Sequence, residues 1–398
     1  MLQFFCLFIL LPFNNHYFCT MHTYNKVILA LGSNLGDKEN HLINAIHLIH
    51  NEVGFVTQAS AIYETPSWGF DSFPFYNMCL LIHTHLLPQN LLIRLKEIEK
   101  KLGREKKTTD SYQARTVDID IVYFNDSVLN VSDLQIPHPQ MQHRKFVLKP
   151  LNDLVFDWKH PLLQQTTCEL LANCNDSSEI KKVSEIHLPK ENYCFQQLNF
   201  LAIEGNIGVG KTSLVQKMAQ DFNAKTILEC FADNPFLPKF YKEPERYAFP
   251  LEMSFLADRY TQLHAALGQH DFFNDFVITD YYIYKSLIFA KITLEPDEAL
   301  LYRTIFDVMY KEITKPDLYV YLYQNTDNLL ANIKKRNRGY EENIQPDYLN
   351  SINQSYTDFI NTLPKEKLLI IDVTNIDFVE NHQDYLKILD TINEKIKG

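Results

Sequence analysis

The sequence has no surplus of positive charge. Its 38 Lys and Arg face 49 Asp and Glu, a formal charge of −11. That balance argues against wrapping nucleic acid, which needs net basic surface, but not against a nucleotide held by a local cation cluster. No Cys-x-x-Cys pair occurs. The seven cysteines (Cys6, Cys19, Cys79, Cys168, Cys174, Cys194 and Cys230) are odd in number and irregularly spaced. They suit free thiols in a reducing cytoplasm better than a disulfide framework or a zinc site. No internal repeat is present, which removes solenoids and propellers. Leu2–Phe13 (LQFFCLFILLPF) is apolar but shorter than the roughly 20 residues that span a bilayer, and no basic residues precede it. With a second Met at Met21, residues 1–20 read as an over-extended start or a disordered leader. A membrane or export segment is the alternative.

What remains is a globular chain too long for one ordinary domain, with 398 residues of which 46% are hydrophobic. In the first part, strands (Lys26–Leu31, Ala59–Tyr63, Phe75–His83, Val117–Phe124) and helices (Lys38–Asn51, Pro88–Leu102) mix without strict alternation. That pattern predicts an α+β sandwich. A polar stretch, NCNDSSEIKK, opens the region from residue 173 to 197 and reads as a linker. Beyond it, Asn199–Ile203, Lys225–Leu228, Phe276–Thr279, Asp317–Tyr323 and Lys367–Asp372 alternate with helical stretches. They predict a five-stranded parallel sheet covered by helices.

Gly205-Asn206-Ile207-Gly208-Val209-Gly210-Lys211-Thr212 fits G-x-x-x-x-G-K-[ST], with an apolar strand before it and a helix after it. Glycines let backbone N–H groups turn around phosphate oxygens, and the helix N-terminus adds positive potential. Lys211 suits the β- and γ-phosphates of ATP, and Thr212 suits magnesium. Around this loop the chain resembles the deoxynucleoside kinases over roughly residues 198–390. The resemblance implies Glu229, in ILEC, as general base. In NPFLPKFYKEPERYAFPLE it implies Tyr241 on the sugar 3′-hydroxyl and Glu252, eleven residues on, at the nucleobase. In KKRNRGYEE it implies Arg336 and Arg338 clamping the phosphoryl group, with Glu341 beside Tyr241. Asp280 would hold magnesium through water. The family's usual Arg after that acidic residue is replaced by Tyr281, and Lys285 is a candidate for the lost charge.

In Arg115-Thr116-Val117-Asp118-Ile119-Asp120 the two carboxylates lie two apart on a strand and so share a face. Such a pair is a natural magnesium platform for a nucleoside triphosphate. Its neighbours ALGSNLGD, YETPSWG, FYN and IPHPQMQHRKFVLKPL resemble the hydroxymethyldihydropterin pyrophosphokinases over roughly residues 24–165. The resemblance implies pterin contacts from Thr65, Pro66, Trp68, Phe75, Asn77 and Phe146. It implies nucleotide and phosphate contacts from Arg104, Lys106, Arg115, His138 and Arg144. Glu99 matches a family acidic position.

The expected organisation is therefore a leader (1–20), a pterin pyrophosphokinase domain (21–176) and a linker (177–196), followed by a P-loop deoxynucleoside kinase domain (197–398). The first domain is expected to be an α+β, ferredoxin-like sandwich and the second an α/β P-loop fold. Both use ATP and Mg2+, neither nucleic acid nor a membrane is a partner, and a homodimer through the kinase domain is possible. A purine acceptor, deoxyadenosine foremost, is favoured. The alternative makes the second half a non-catalytic nucleotide-binding module or another small-molecule P-loop kinase.

Overall fold

A computed structural model of the chain describes residues 24–67, 72–103, 115–229, 234–268, 273–338, 341 and 344–398. Trp68, Arg104 and Lys106, and residues 1–20 of the expected leader, lie outside them.

The N-terminal half runs β1 (Asn25–Ser33), α1 (Lys38–Glu52), β2 (Phe55–Ala59), β3 (Ile62–Thr65), β4 (Phe75–Thr84), α2 (Pro88–Lys101) and β5 (Asp118–Phe124). It continues with the hairpin β6 (Leu129–Val131) and β7 (Leu134–Ile136), then α3 (Lys145–Leu154), α4 (Thr167–Ala172) and β8 (Lys181–Ser184). The main sheet is antiparallel, in the order β5-β1-β4-β3-β8, with β2 also on β4. Alternation along β1 divides its side chains between two cores. Val27, Leu29 and Leu31 join Leu42 and Ile46 of α1 and Leu91 and Leu95 of α2. Ile28 joins Val147, Leu148 and Leu151 of α3. The single strand expected over Ala59–Tyr63 is instead split into β2 and β3. The ladder slips between Val56 and Gln58, and the Ser60 hydroxyl then accepts the Cys79 N–H at 2.9 Å.

The C-terminal half runs β9 (Phe200–Gly205), α5 (Lys211–Phe222), β10 (Lys225–Ile227), α6 (Leu237–Phe240), α7 (Pro244–Leu267), β11 (Val277–Thr279), α8 (Lys285–Thr293) and α9 (Pro296–Tyr310). After these come β12 (Leu318–Tyr323), α10 (Thr326–Arg336), α11 (Pro346–Ile360), β13 (Leu368–Asp372) and α12 (His382–Lys397). Its five strands are parallel, in the order β10-β11-β9-β12-β13. In open parallel sheets ligands bind beyond the carboxyl ends of the strands. Here the phosphate loop, Glu229 and Asp280 follow β9, β10 and β11. No helix among the described residues is long and apolar enough to cross a membrane. Cys79, Cys168, Cys174 and Cys194 are free thiols.

The segment expected as a linker is built into both halves. Residues 181–184 form β8 on the edge of β3, and Leu188 belongs to the first core. Tyr193 and Phe195 are buried in the second core and stack at 5.6 Å. A segment of polar average composition thus carries three apolar anchors, and these decide its path. The halves also meet directly. Phe55 of β2 packs on Phe222 of α5, with ring centroids 5.2 Å apart. His382 of α12 donates to the His50 carbonyl at 2.6 Å.

Candidate active sites

In the first half, β1 brings two neighbours into line. Its Gly32 lies opposite Asn77 of β4 on one side and Asp118 of β5 on the other. A Cβ at Gly32 would come 3.1 Å from the Asn77 amide oxygen, so the position keeps that amide accessible. Asn77 donates to the Thr65 hydroxyl at 2.8 Å. Asp118 and Asp120 share the sheet face covered by α3, and Phe146 lies in the first turn of that helix. One cavity is lined by Thr65, Pro66, Phe75 and Asn77 on one side and by Phe146, Arg144, Arg115, Asp118 and Asp120 on the other. Arg115 is ion-paired with Asp118. Arg144 lies 5.8 Å from the Phe146 ring. His138 does not line this cavity, but its neutral form is favoured: burial pulls it down to about 4, and the Arg144 charge adds to that.

Two positioning residues complete this site. Buried Glu99 of α2 accepts the Ile119 N–H at 2.8 Å, between the two aspartates. Asn34 in the turn after β1 accepts the Arg115 N–H at 2.7 Å. Glu99 carried a sequence signal through its motif. Asn34 is visible only inside GSNLGD, where it resembles an ordinary turn residue.

In the second half, Gly210 caps α5 with φ of 93°, and a Cβ there would strike the Phe378 ring at 2.8 Å. Glycine is therefore required both for the left-handed turn and for the packing. Lys211 donates to the carbonyls of Gly205 and Asn206, both at 2.9 Å. Burial and the nearby Lys285 charge lower its ammonium to about 8. Thr212 donates to Asp280 Oδ2, and Asp280 Oδ1 accepts the Glu229 N–H at 2.8 Å.

Glu229 is held by two cations. Its Oε1 accepts Arg259 Nη2 at 2.7 Å and its Oε2 accepts Lys285 Nζ at 2.5 Å. Burial pushes this carboxyl up, but Lys285 and Arg259 outweigh burial and hold it at about 2. Lys285 opens α8, one turn beyond Tyr281. Tyr281 is fully buried and donates instead to Gln262, at 2.7 Å. Arg259 was not singled out from the sequence. Its position seven residues after Glu252, two turns along one helix face, was the available signal.

Glu252 is buried, and its Oε1 accepts the Thr293 hydroxyl at 3.1 Å. Tyr241, at the end of α6, is half-buried against the core. Tyr348 of α11 lies near both: burial raises its phenol, and the neighbouring Glu252 and Tyr241 add to that. Glu341 is bonded by Arg336 and lies 3.6 Å from Arg338.

Both metal expectations meet hard oxygen donors: two carboxylates in the first half, one hydroxyl and one carboxylate in the second. No cluster of three or more His, Cys, Asp or Glu forms among the described residues. Hard oxygen donors of this kind are what Mg2+ takes, together with waters and phosphate oxygens.

A family model for 7,8-dihydro-6-hydroxymethylpterin-pyrophosphokinase matches residues 28–156, and one for deoxynucleoside kinase matches residues 201–397. A Porphyromonas gingivalis protein named 2-amino-4-hydroxy-6-hydroxymethyldihydropteridine pyrophosphokinase is 41% identical over 138 residues, covering 34% of this chain and 93% of that protein. The deoxyguanosine kinase of Bacillus subtilis is 37% identical over 201 residues, covering 50% of this chain and 97% of that protein. The deoxyadenosine kinase of Lactobacillus acidophilus is 27% identical over 214 residues, covering 50% and 97%. Through its first half the chain belongs to the hydroxymethyldihydropterin pyrophosphokinases, and through its second half to the deoxynucleoside kinases.

Proposed function

We propose that the chain transfers phosphorus groups from ATP at two separate sites. The first half moves a diphosphoryl group to 6-hydroxymethyl-7,8-dihydropterin and releases AMP. The second phosphorylates the 5′-hydroxyl of a deoxynucleoside, a purine by preference and deoxyadenosine foremost, and releases ADP. The observation that carries the reading is that each half has its own set of aligned carboxylates and cations.

In the pterin site, Phe75 and Phe146 offer ring faces to a flat heterobicycle, and Asn77 offers an amide to its edge. Arg115, Arg144 and His138, with Arg104 and Lys106, would meet the nucleotide and its phosphates; Trp68 would add to the pterin contacts. In the kinase site, Glu229 is ionised at any working pH and takes the proton of the attacking 5′-hydroxyl. Lys211, Arg336 and Arg338 stabilise charge on the moving phosphoryl group. Tyr241 and Glu341 hold the sugar, and Glu252 meets the base. Asp118 and Asp120, and in the other half Thr212 and Asp280, would hold Mg2+, which when bound neutralises phosphate charge.

The strand order, β5-β1-β4 with β2 and β3 sharing the next place, supports a ferredoxin-like reading of the first half. The cation at Glu229 counts against a non-catalytic second half, because Lys285 supplies a charge where Tyr281 does not. Exposed Leu300, Leu301 and Val308 lie on α9 at helical spacing and support a kinase-domain homodimer, which sedimentation would reveal. The functional test supplies Mg-ATP with the pterin or with each deoxynucleoside. AMP should appear only with the pterin, and ADP only with a deoxynucleoside.

A further inference from the structure

Glu252 is 2% exposed, and its two carboxyl oxygens differ. Oε1 accepts the Thr293 hydroxyl at 3.1 Å, whereas Oε2 is enclosed and, among the described residues, meets no hydrogen-bonding group. Among the described residues, four helices face this carboxyl. From its own helix α7, Arg259 is committed to Glu229 and to the Ser286 hydroxyl. From α8, Lys285 is bonded to Glu229 at 2.5 Å, and Thr293 shares its one hydroxyl proton between Oε1 and the Phe289 carbonyl, the latter at 3.0 Å. From α9, Tyr302 donates to the Glu252 backbone carbonyl at 3.2 Å, not to its side chain. From α11, Tyr348 stands close enough to feel its charge. Both nearby cations thus neutralise Glu229, and Glu229 itself repels a second negative charge.

A buried carboxylate with a single hydroxyl donor and no cation of its own is strongly disfavoured, whereas the neutral acid is not. We infer that Glu252 reads the nucleobase as a neutral carboxylic acid, with an O–H donor at Oε2 beside a carbonyl acceptor at Oε1. In that form it offers the donor and the acceptor that a carboxamide offers. Burial, which lifts this carboxyl to about 7, agrees. The inference rests on the kinase assignment above.

The protonation state selects the base. A donor beside an acceptor matches adenine, whose amino group flanks a ring-nitrogen acceptor. The ionised form has acceptors only and matches two donors side by side, as guanine presents them. Raising the pH should therefore move preference from deoxyadenosine towards deoxyguanosine.

The test uses the full chain and Glu252→Gln, with kcat/KM for both nucleosides measured about one unit either side of pH 7. In the native chain the deoxyadenosine-to-deoxyguanosine ratio should fall about tenfold as pH rises, the scale of one lost hydrogen bond. In Glu252→Gln the ratio should not depend on pH. A flat native ratio, or equal slopes in both proteins, overturns the inference. Infrared difference spectra give a readout without turnover: at about pH 6 the native chain should show a carboxylic-acid C=O band that Glu252→Gln lacks. If that band is absent, the neutral acid is ruled out. If it is present but no deoxynucleoside is phosphorylated, the kinase assignment fails and the base-reading role fails with it.

Discussion

His83 of β4 and Asp221 of α5 join the two catalytic halves through a buried contact, Nδ1 to Oδ1, at 2.8 Å. The other Asp221 oxygen accepts the Tyr385 hydroxyl at 2.8 Å. Asp221 lies in the last turn of the helix that begins at the phosphate loop, so this loop is anchored through its helix to the pterin half.

Asp221→Ala should strand two buried partners and destabilise the chain by about 1–3 kcal/mol. The kinase fragment should also depend on where it starts. A fragment from residue 187 keeps Tyr193 and Phe195, whereas one from residue 197 loses both. Thermal unfolding of the two fragments checks this, and the shorter one should melt earlier. Equal melting temperatures would mean that those rings are not anchors.

Glu99→Ala should remove the acceptor for the Ile119 N–H and loosen the strand between Asp118 and Asp120. Pterin turnover should fall about tenfold, the effect of roughly one lost hydrogen bond. Glu99→Gln, whose amide oxygen can still accept, should recover most of it. Deoxynucleoside phosphorylation should not change in either variant.

Much of this was legible in the sequence because it is carried by short contiguous strings of residues. The strand with two aspartates and the phosphate loop each imply their geometry, since period-two alternation and glycine conformations are local properties. What was hidden depends on long-range packing. Lys285 is legible as a candidate for the missing charge, but nothing near it in the chain reveals that its amine reaches Glu229, 56 residues away. Nor does composition show that Tyr193 and Phe195, in a polar stretch, are core residues. The split of one expected strand into β2 and β3 falls at Ser60, whose hydroxyl takes the Cys79 N–H from the neighbouring strand, a contact no single-strand pattern records.

Lys285→Met should leave Glu229 with Arg259 alone and slow the kinase reaction by about 10–100-fold, the scale of one lost hydrogen bond to a charged group. Lys285→Arg should restore part of the rate. Measuring kcat and KM separately would show whether the loss lies in turnover, as expected here, or in binding.

Acid should destabilise the chain through its buried histidines. Burial lowers His50 to about 3 and His138 to about 4, and also lowers His160 and His382. Unfolded histidines titrate near 6.5, so below that pH the unfolded state takes up more protons than the folded one. The stabilisation from keeping these rings neutral is complete above pH of about 6.5 and is lost as pH falls towards about 4. Urea unfolding at stepped pH should show the midpoint dropping through that window.

The most direct measurement follows AMP and ADP together in Asp118→Ala and Glu229→Gln of the full chain, supplied with Mg-ATP, the pterin and deoxyadenosine. Asp118→Ala should lose AMP formation by at least about 100-fold and keep ADP formation. Glu229→Gln should do the reverse. Loss of both products in either variant, or of neither, would contradict two independent phosphotransfer sites in one chain.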